Sequence, residues 1–279
     1  MTEPVVLPAS ARWTIPGESA TAGLRVSLAM PMTRSKEPVR ALLVLDGDSL
    51  FHTATEFVRT VRHVTMGHFP QVAVIGVVRD EPHGMQYVAS RFRDFTPQQW
   101  TLTGPFADDN AMATMGTGGA TEFLASIEQQ VLPQVRTELS ASGHDLGEIA
   151  IGGWSLSGLF ASWAWMQRPD LFPHLLSISP SLWWHDASIL DERFGARPST
   201  HKVFVCSGEH EEGDTSKVYP QKFANAAQRE MAAMVRNAAR FGVLAAATGA
   251  DVDSVAFPGE HHITVQAAAL ARGLRHIYG

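Results

Sequence analysis

Three short stretches of this chain carry side chains that could act together on a carbonyl carbon. Ser155 lies in Gly153-Trp-Ser-Leu-Ser-Gly158, an acidic cluster follows as Glu209-His210-Glu211-Glu212, and two histidines close Glu260-His261-His262. A serine hydroxyl is a poor nucleophile at neutral pH. It becomes an effective one when an imidazole takes its proton and a carboxylate orients that imidazole. Each stretch also has a plainer use: serine caps helices, acidic clusters are commonly solvated, and loop histidines are often just polar. The case for chemistry lies in their combination, which requires all three to sit at the ends of strands.

The surrounding sequence places them there. Residues 148–160 read as a strand, a tight Gly-rich turn and an amphipathic helix, close to the G-x-S-x-G elbow that projects a serine from a strand end. Gly153 fills the first glycine position, whereas Ser157 occupies the last, with Gly158 one residue later. The acidic cluster follows an apolar run ending at Gly208, and the histidines follow another ending at Gly259. Serine, acid, histidine is the order found in α/β-hydrolases.

Seven apolar runs bounded by Gly, Pro or Asp predict strands at 26–31, 41–47, 71–78, 148–154, 174–180, 202–208 and 254–259. Several are continuously apolar, as strands covered on both faces must be. Helical spacing appears between them at Phe57, Val61 and Val64, at Phe123, Ile127 and Val131, at Leu156, Phe160 and Trp163, and through Leu270 and Leu274. The alternation predicts a doubly wound, mostly parallel sheet with helices on both faces, forming one domain over 1–279, with its working site beyond the carboxyl ends of the strands. No strand is legible from Arg79 to Gly147. This stretch includes a Gly-rich loop at 106–120, before a helix expected near Thr121. A single long Ala- and Met-rich helix is expected from Gln221 to about Ala247.

Composition excludes several classes. Hydrophobic residues at 45% and charged residues at 18% suit a packed globular enzyme. A net charge of -6 without a run of Lys or Arg argues against nucleic acid as a partner. The one cysteine, Cys206, sits in an apolar run and reads as a core residue, which fits a reducing compartment. The stretch MTEPVVLPASARW lacks a basic start followed by an apolar run, and no segment is long enough to span a bilayer, so a cytoplasmic protein without a membrane partner is expected. Twelve histidines raise the question of a metal, yet neither HExxH nor paired-cysteine spacing occurs, so neither metal nor cofactor is expected.

The sequence resembles the putative-esterase family of α/β-hydrolases that includes siderophore esterases of the enterobactin and bacillibactin type. The resemblance is carried in order by Leu45-Asp-Gly-Asp48, Arg91-Phe-Arg-Asp-Phe-Thr-Pro97, Gly119-Ala-Thr-Glu-Phe-Leu124, the elbow at 153–160, Pro169-Asp-Leu-Phe172, Ser179-Pro-Ser-Leu-Trp-Trp184, Gly208-Glu-His-Glu-Glu212 and Pro258-Gly-Glu-His-His262. It implies that Ser155 is the nucleophile and that His262, rather than His261, is the base. Glu211 aligns best with the acid, Glu209 and Glu212 stay open beside it, and a Ser/His dyad is the remaining option. The resemblance further implies an oxyanion hole built from the backbone N–H groups of Leu156 and Asp48. Trp183 and Trp184 are candidates for an aromatic wall against the substrate, and Trp154 is a further candidate for substrate binding. Arg91 is a candidate for meeting an anionic one, with pairing to Asp94 as its alternative. The implied function is hydrolysis of a small-molecule carboxylic ester through an acyl-enzyme. Its rivals are acyl transfer on the same machinery and a non-catalytic binding module, for which Ser157 is the motive. The natural ester and the oligomeric state are left open.

Overall fold

Along Val39–Leu45 the side chains of Ala41, Leu43 and Leu45 enter one apolar cluster and those of Leu42 and Val44 another, which is why the run carries no polar alternation. The computed structural model describes residues 2, 6–17, 22–34, 36–81, 84–102, 116–213 and 226–279. Its strands are β1 (Ser10–Ile15), β2 (Leu24–Ala29), β3 (Val39–Leu45), β4 (Val72–Arg79), β5 (Leu146–Trp154), β6 (His174–Ile178), β7 (Lys202–Gly208) and β8 (Asp251–Phe257). They form one sheet in the order β1-β2-β4-β3-β5-β6-β7-β8. The pairs β1/β2 and β2/β4 are antiparallel and all others parallel. This is the α/β-hydrolase fold.

The helices are α1 (Gly47–Val64), α2 (Met85–Phe95), α3 (Ala120–Ser126), α4 (Leu132–Ala141), α5 (Leu156–Gln167), α6 (Ala226–Ala232), α7 (Met234–Ala247) and α8 (Val265–Tyr278). A π-turn over Ile127–Val131 joins α3 to α4. Phe95, Phe123, Phe160 and Phe241 bring α2, α3, α5 and α7 onto one face of the sheet. Leu50, Phe51, Leu270 and Leu274 bring α1 and α8 onto the other. Cys206 is a buried member of that second cluster. No described helix is long and apolar enough to cross a membrane.

Three expectations change. β1 has no counterpart among the predicted runs. The stretch after Arg79 contains a helix, α2, ahead of the one that begins at Ala120. The long Ala- and Met-rich helix is two helices, α6 and α7, separated at Ala233, whose φ of 44° lies outside the helical region. Residues 106–115 of the Gly-rich loop and 221–225 of that helical segment lie outside the described residues.

The sheet also fixes where a site can form. From β3 the chain moves to β4 on one side and later crosses to β5 on the other, so a crevice opens at the carboxyl ends of β3 and β5. Val44 pairs with Gly152, which brings the turn at Asp46 beside the turn at Ser155.

Candidate active site

The elbow is built by backbone geometry. Ser155 has φ 62° and ψ -121°, a conformation a non-glycine residue keeps only when its surroundings impose it. Its N–H donates to the carbonyl of Ile178 at 3.0 Å, and its own carbonyl accepts from Ser181 and Leu159, both at 3.0 Å. Gly153 is required because a Cβ there would fall on the backbone carbonyl of Ser157, well inside van der Waals distance. Gly153→Ala should therefore destabilise the fold by on the order of 1–3 kcal/mol, as overpacking does, and displace the serine with it. A thermal melt and an esterase assay on the same preparation test this; a variant as stable and active as the parent would show that the elbow does not need the glycine.

Strand ends deliver the partners. His262 Nε2 lies 3.0 Å from Ser155 Oγ, and His262 Nδ1 lies 2.6 Å from Glu211 Oε2. Glu211 is 6% exposed, and its other oxygen accepts from the Ser179 hydroxyl and the Gly208 N–H, each at 2.5 Å. With both oxygens engaged, a carboxylate holds Nδ1 as the protonated nitrogen and leaves Nε2 as the acceptor that faces serine. His262 is braced by Trp154, whose ring lies against it with centroids 4.9 Å apart and planes tilted by 38°, and whose indole N–H donates to the His262 carbonyl at 2.8 Å. The acid and histidine loops are sewn together by His210 N–H to the Glu260 carbonyl and by Gly259 N–H to Glu209, both at 2.9 Å.

The neighbouring acids have other partners. Glu209 accepts the Gly259 N–H, while Glu212 accepts the N–H groups of Val235 and Arg236 at 3.0 Å and ion-pairs with Arg236. Glu212 thus caps the first turn of α7, which accounts for the helix restarting there. Leu156 is the first residue of α5 and Asp48 lies in the first turn of α1, positions whose backbone N–H groups find no acceptor within their own helix.

The candidate substrate groups are placed unequally. Trp183 is partly exposed and sits among Trp100 and Trp184, with ring centroids at 6.3 and 6.0 Å. Trp184 is 1% exposed, donates its indole N–H to Gln98 and packs on Phe92, so it is a core residue behind Trp183 rather than part of a wall. Trp154 faces His262. Arg91 does not meet Asp94, which pairs with Arg79 and Arg93; its guanidinium instead grips Asp46 through two 2.8 Å bonds. Withdrawing Arg91 toward a substrate would leave a carboxylate 2% exposed without its opposite charge and with only the Tyr87 and Ser157 hydroxyls as donors, a cost of up to about 3–5 kcal/mol. Trp100 carries no signal in the residue pattern, and Asp46 and Ser179 stand in the quoted motifs without a role of their own, because the partners of all three are distant in the chain. Among the described residues no group of three or more His, Cys, Asp or Glu is placed to hold a metal ion.

A profile of the family described as "Putative esterase" matches residues 18–277. A siderophore triacetylfusarinine C esterase of Aspergillus fumigatus is 34% identical over 155 residues, which cover 56% of this chain and 48% of that protein. A siderophore enterobactin esterase of Emericella nidulans is 30% identical over 189 residues, covering 65% of this chain and 61% of the relative. The matches thus span about half to three-fifths of these two relatives. Among solved structures, siderophore hydrolase EstA from Aspergillus nidulans superposes with a TM-score of 0.79 at 24% identity, over 99% of this chain and 97% of that one.

Proposed function

Because the chain belongs to the family described as putative esterase, we propose that it hydrolyses a small-molecule carboxylic ester through an acyl-enzyme on Ser155. The observation that carries this is the unbroken relay Ser155 Oγ, His262, Glu211, with 3.0 and 2.6 Å between its members, at the carboxyl ends of three strands. The Ser155 oxygen adds to the ester carbonyl as His262 Nε2 takes the hydroxyl proton, and Glu211 stabilises the imidazolium. The backbone N–H groups of Leu156 and Asp48 receive the oxyanion, an interaction contributing on the order of 3–4 kcal/mol per donor in comparable sites. Collapse of the tetrahedral centre breaks the bond to the alcohol, which leaves with the proton from His262. Water then repeats the sequence on the acyl group and frees the acid.

No step calls on a cofactor, a nucleic acid or a membrane. The names of the relatives point to siderophore esters as the substrate class, and the partly exposed Trp183 beside Trp100 supplies an aromatic surface for an acyl group of that kind. One continuous sheet supports a single domain, and a lone buried thiol suits the cytoplasm. A panel of aryl acetates, feruloyl esters and catecholate trilactones tests the reading. Trilactones should give the highest kcat/KM; a clear preference for feruloyl or simple aryl esters would overturn the substrate class, and no hydrolysis of any member would overturn the activity.

A further inference from the structure

Asp46 follows β3 in the left-handed conformation, with φ 51° and ψ 47°, and is almost fully buried. Its carboxylate gathers four donors from two other parts of the chain. Oδ1 accepts from the Tyr87 hydroxyl at 2.9 Å and Arg91 Nε at 2.8 Å, while Oδ2 accepts from Arg91 Nη2 at 2.8 Å and the Ser157 hydroxyl at 2.6 Å. Ser157 stands where the regular elbow has glycine. Its side chain is fully buried, and besides donating to Asp46 it accepts the Trp154 N–H at 2.9 Å. A hydroxyl has one proton, and the charged acceptor at 2.6 Å is its strongest claimant over the Trp154 carbonyl at 2.8 Å.

The bridge joins the two segments whose spacing matters most. Asp46 begins the turn that carries Asp48, and Ser157 follows the Leu156 amide by one residue. The turn is close-packed as well, since a Cβ on Gly47 would meet the backbone of Gly76 and Val77 at 3.0 Å. On the other side, Arg25 grips Asp48 itself at 2.5 Å. We infer that Ser157 and Asp46 are positioning residues that set the separation of the two oxyanion donors, with Arg91 and Tyr87 holding the Asp46 carboxylate in place. This rests on the esterase reading and adds a part to it. The serine that breaks the glycine pattern is then a cross-strand clamp rather than a mark of lost activity.

Ser157→Ala and Ser157→Gly remove the clamp with no added volume, and neither side chain touches substrate. Both variants, the parent and Ser155→Ala are assayed on one activated aryl ester. A thermal melt and the rate of fluorophosphonate labelling are recorded for each. The expected result is a kcat reduced about 10-fold, less than the loss of a whole oxyanion donor, with KM changed under about twofold and labelling slowed in parallel. A kcat and labelling rate within about twofold of the parent, alongside an inactive Ser155→Ala, would overturn the clamp and leave the esterase reading intact. Loss of the cooperative melt in both variants would overturn it too, by making the bridge a folding element. Full activity in Ser155→Ala would instead bring down the assignment of Ser155 as the nucleophile, on which the clamp rests.

Discussion

Ser155→Ala is expected to lower turnover of an activated aryl ester by on the order of 10⁴ to 10⁶-fold, with no stoichiometric labelling by a fluorophosphonate. The size follows from the mechanism: without Oγ there is no acyl-enzyme, and only the oxyanion donors and binding remain to assist water. The fold should survive, because the unusual backbone at Ser155 is held by Ile178, Ser181 and Leu159 through main-chain bonds that alanine keeps. One control is essential. Ser181 Oγ lies 3.4 Å from Ser155 Oγ and is a second hydroxyl in the same place. Among the described residues no imidazole lies within hydrogen-bonding distance of it, so Ser181→Ala should keep labelling and most of its turnover. Initial rates and intact-protein mass spectrometry on the two variants decide the matter. Labelling that persists in Ser155→Ala but vanishes in Ser181→Ala would transfer the nucleophile to the other serine.

The fold was legible where burial leaves a local trace. β3, β4, β6 and β7 are covered on both faces, so their residues read as unbroken apolar runs and their positions follow. β1 left no such trace because it is an edge strand in which only Trp13 and Ile15 are large and apolar, between polar neighbours. α2 was hidden by its charges. Arg91 and Asp94 look like a solvated face, yet Arg91 binds Asp46, 45 residues away, and Asp94 binds Arg79, 15 residues away. Ion pairs at such separations have no periodicity to read. The break between α6 and α7 has the same origin, since the Glu212 carboxylate that caps α7 comes from a different loop. In the site, strand ends pointed to Ser155 and to the pair His261-His262, and the family resemblance chose His262 within that pair. Which of three nearby carboxylates faces the histidine was not readable from position, because a turn of three residues sends Glu209, Glu211 and Glu212 in different directions.

That divergence makes the acid the sharpest remaining test. Glu211→Gln should lower kcat by on the order of 10³ to 10⁴-fold with little change in KM, because the orienting group acts on the transition state rather than on ground-state binding. A glutamine amide can donate to Nδ1, which favours the tautomer protonated on Nε2, and that nitrogen can then no longer accept the serine proton. The substitution also removes the charge that stabilises the imidazolium and weakens the acceptor that holds the Ser179 hydroxyl and the Gly208 N–H. The neighbours predict different outcomes from their own contacts. Glu212→Gln loses charge at the start of α7 and should cost stability, on the order of 0.5–1 kcal/mol, with kcat nearly unchanged. Glu209→Gln keeps an acceptor for the Gly259 N–H and should do little to either. A kcat for Glu211→Gln within about tenfold of the parent would mean that Ser155 and His262 suffice as a dyad. A collapse of kcat in Glu209→Gln or Glu212→Gln instead would mean that the buried contact between Glu211 and His262 is not the one that catalysis uses.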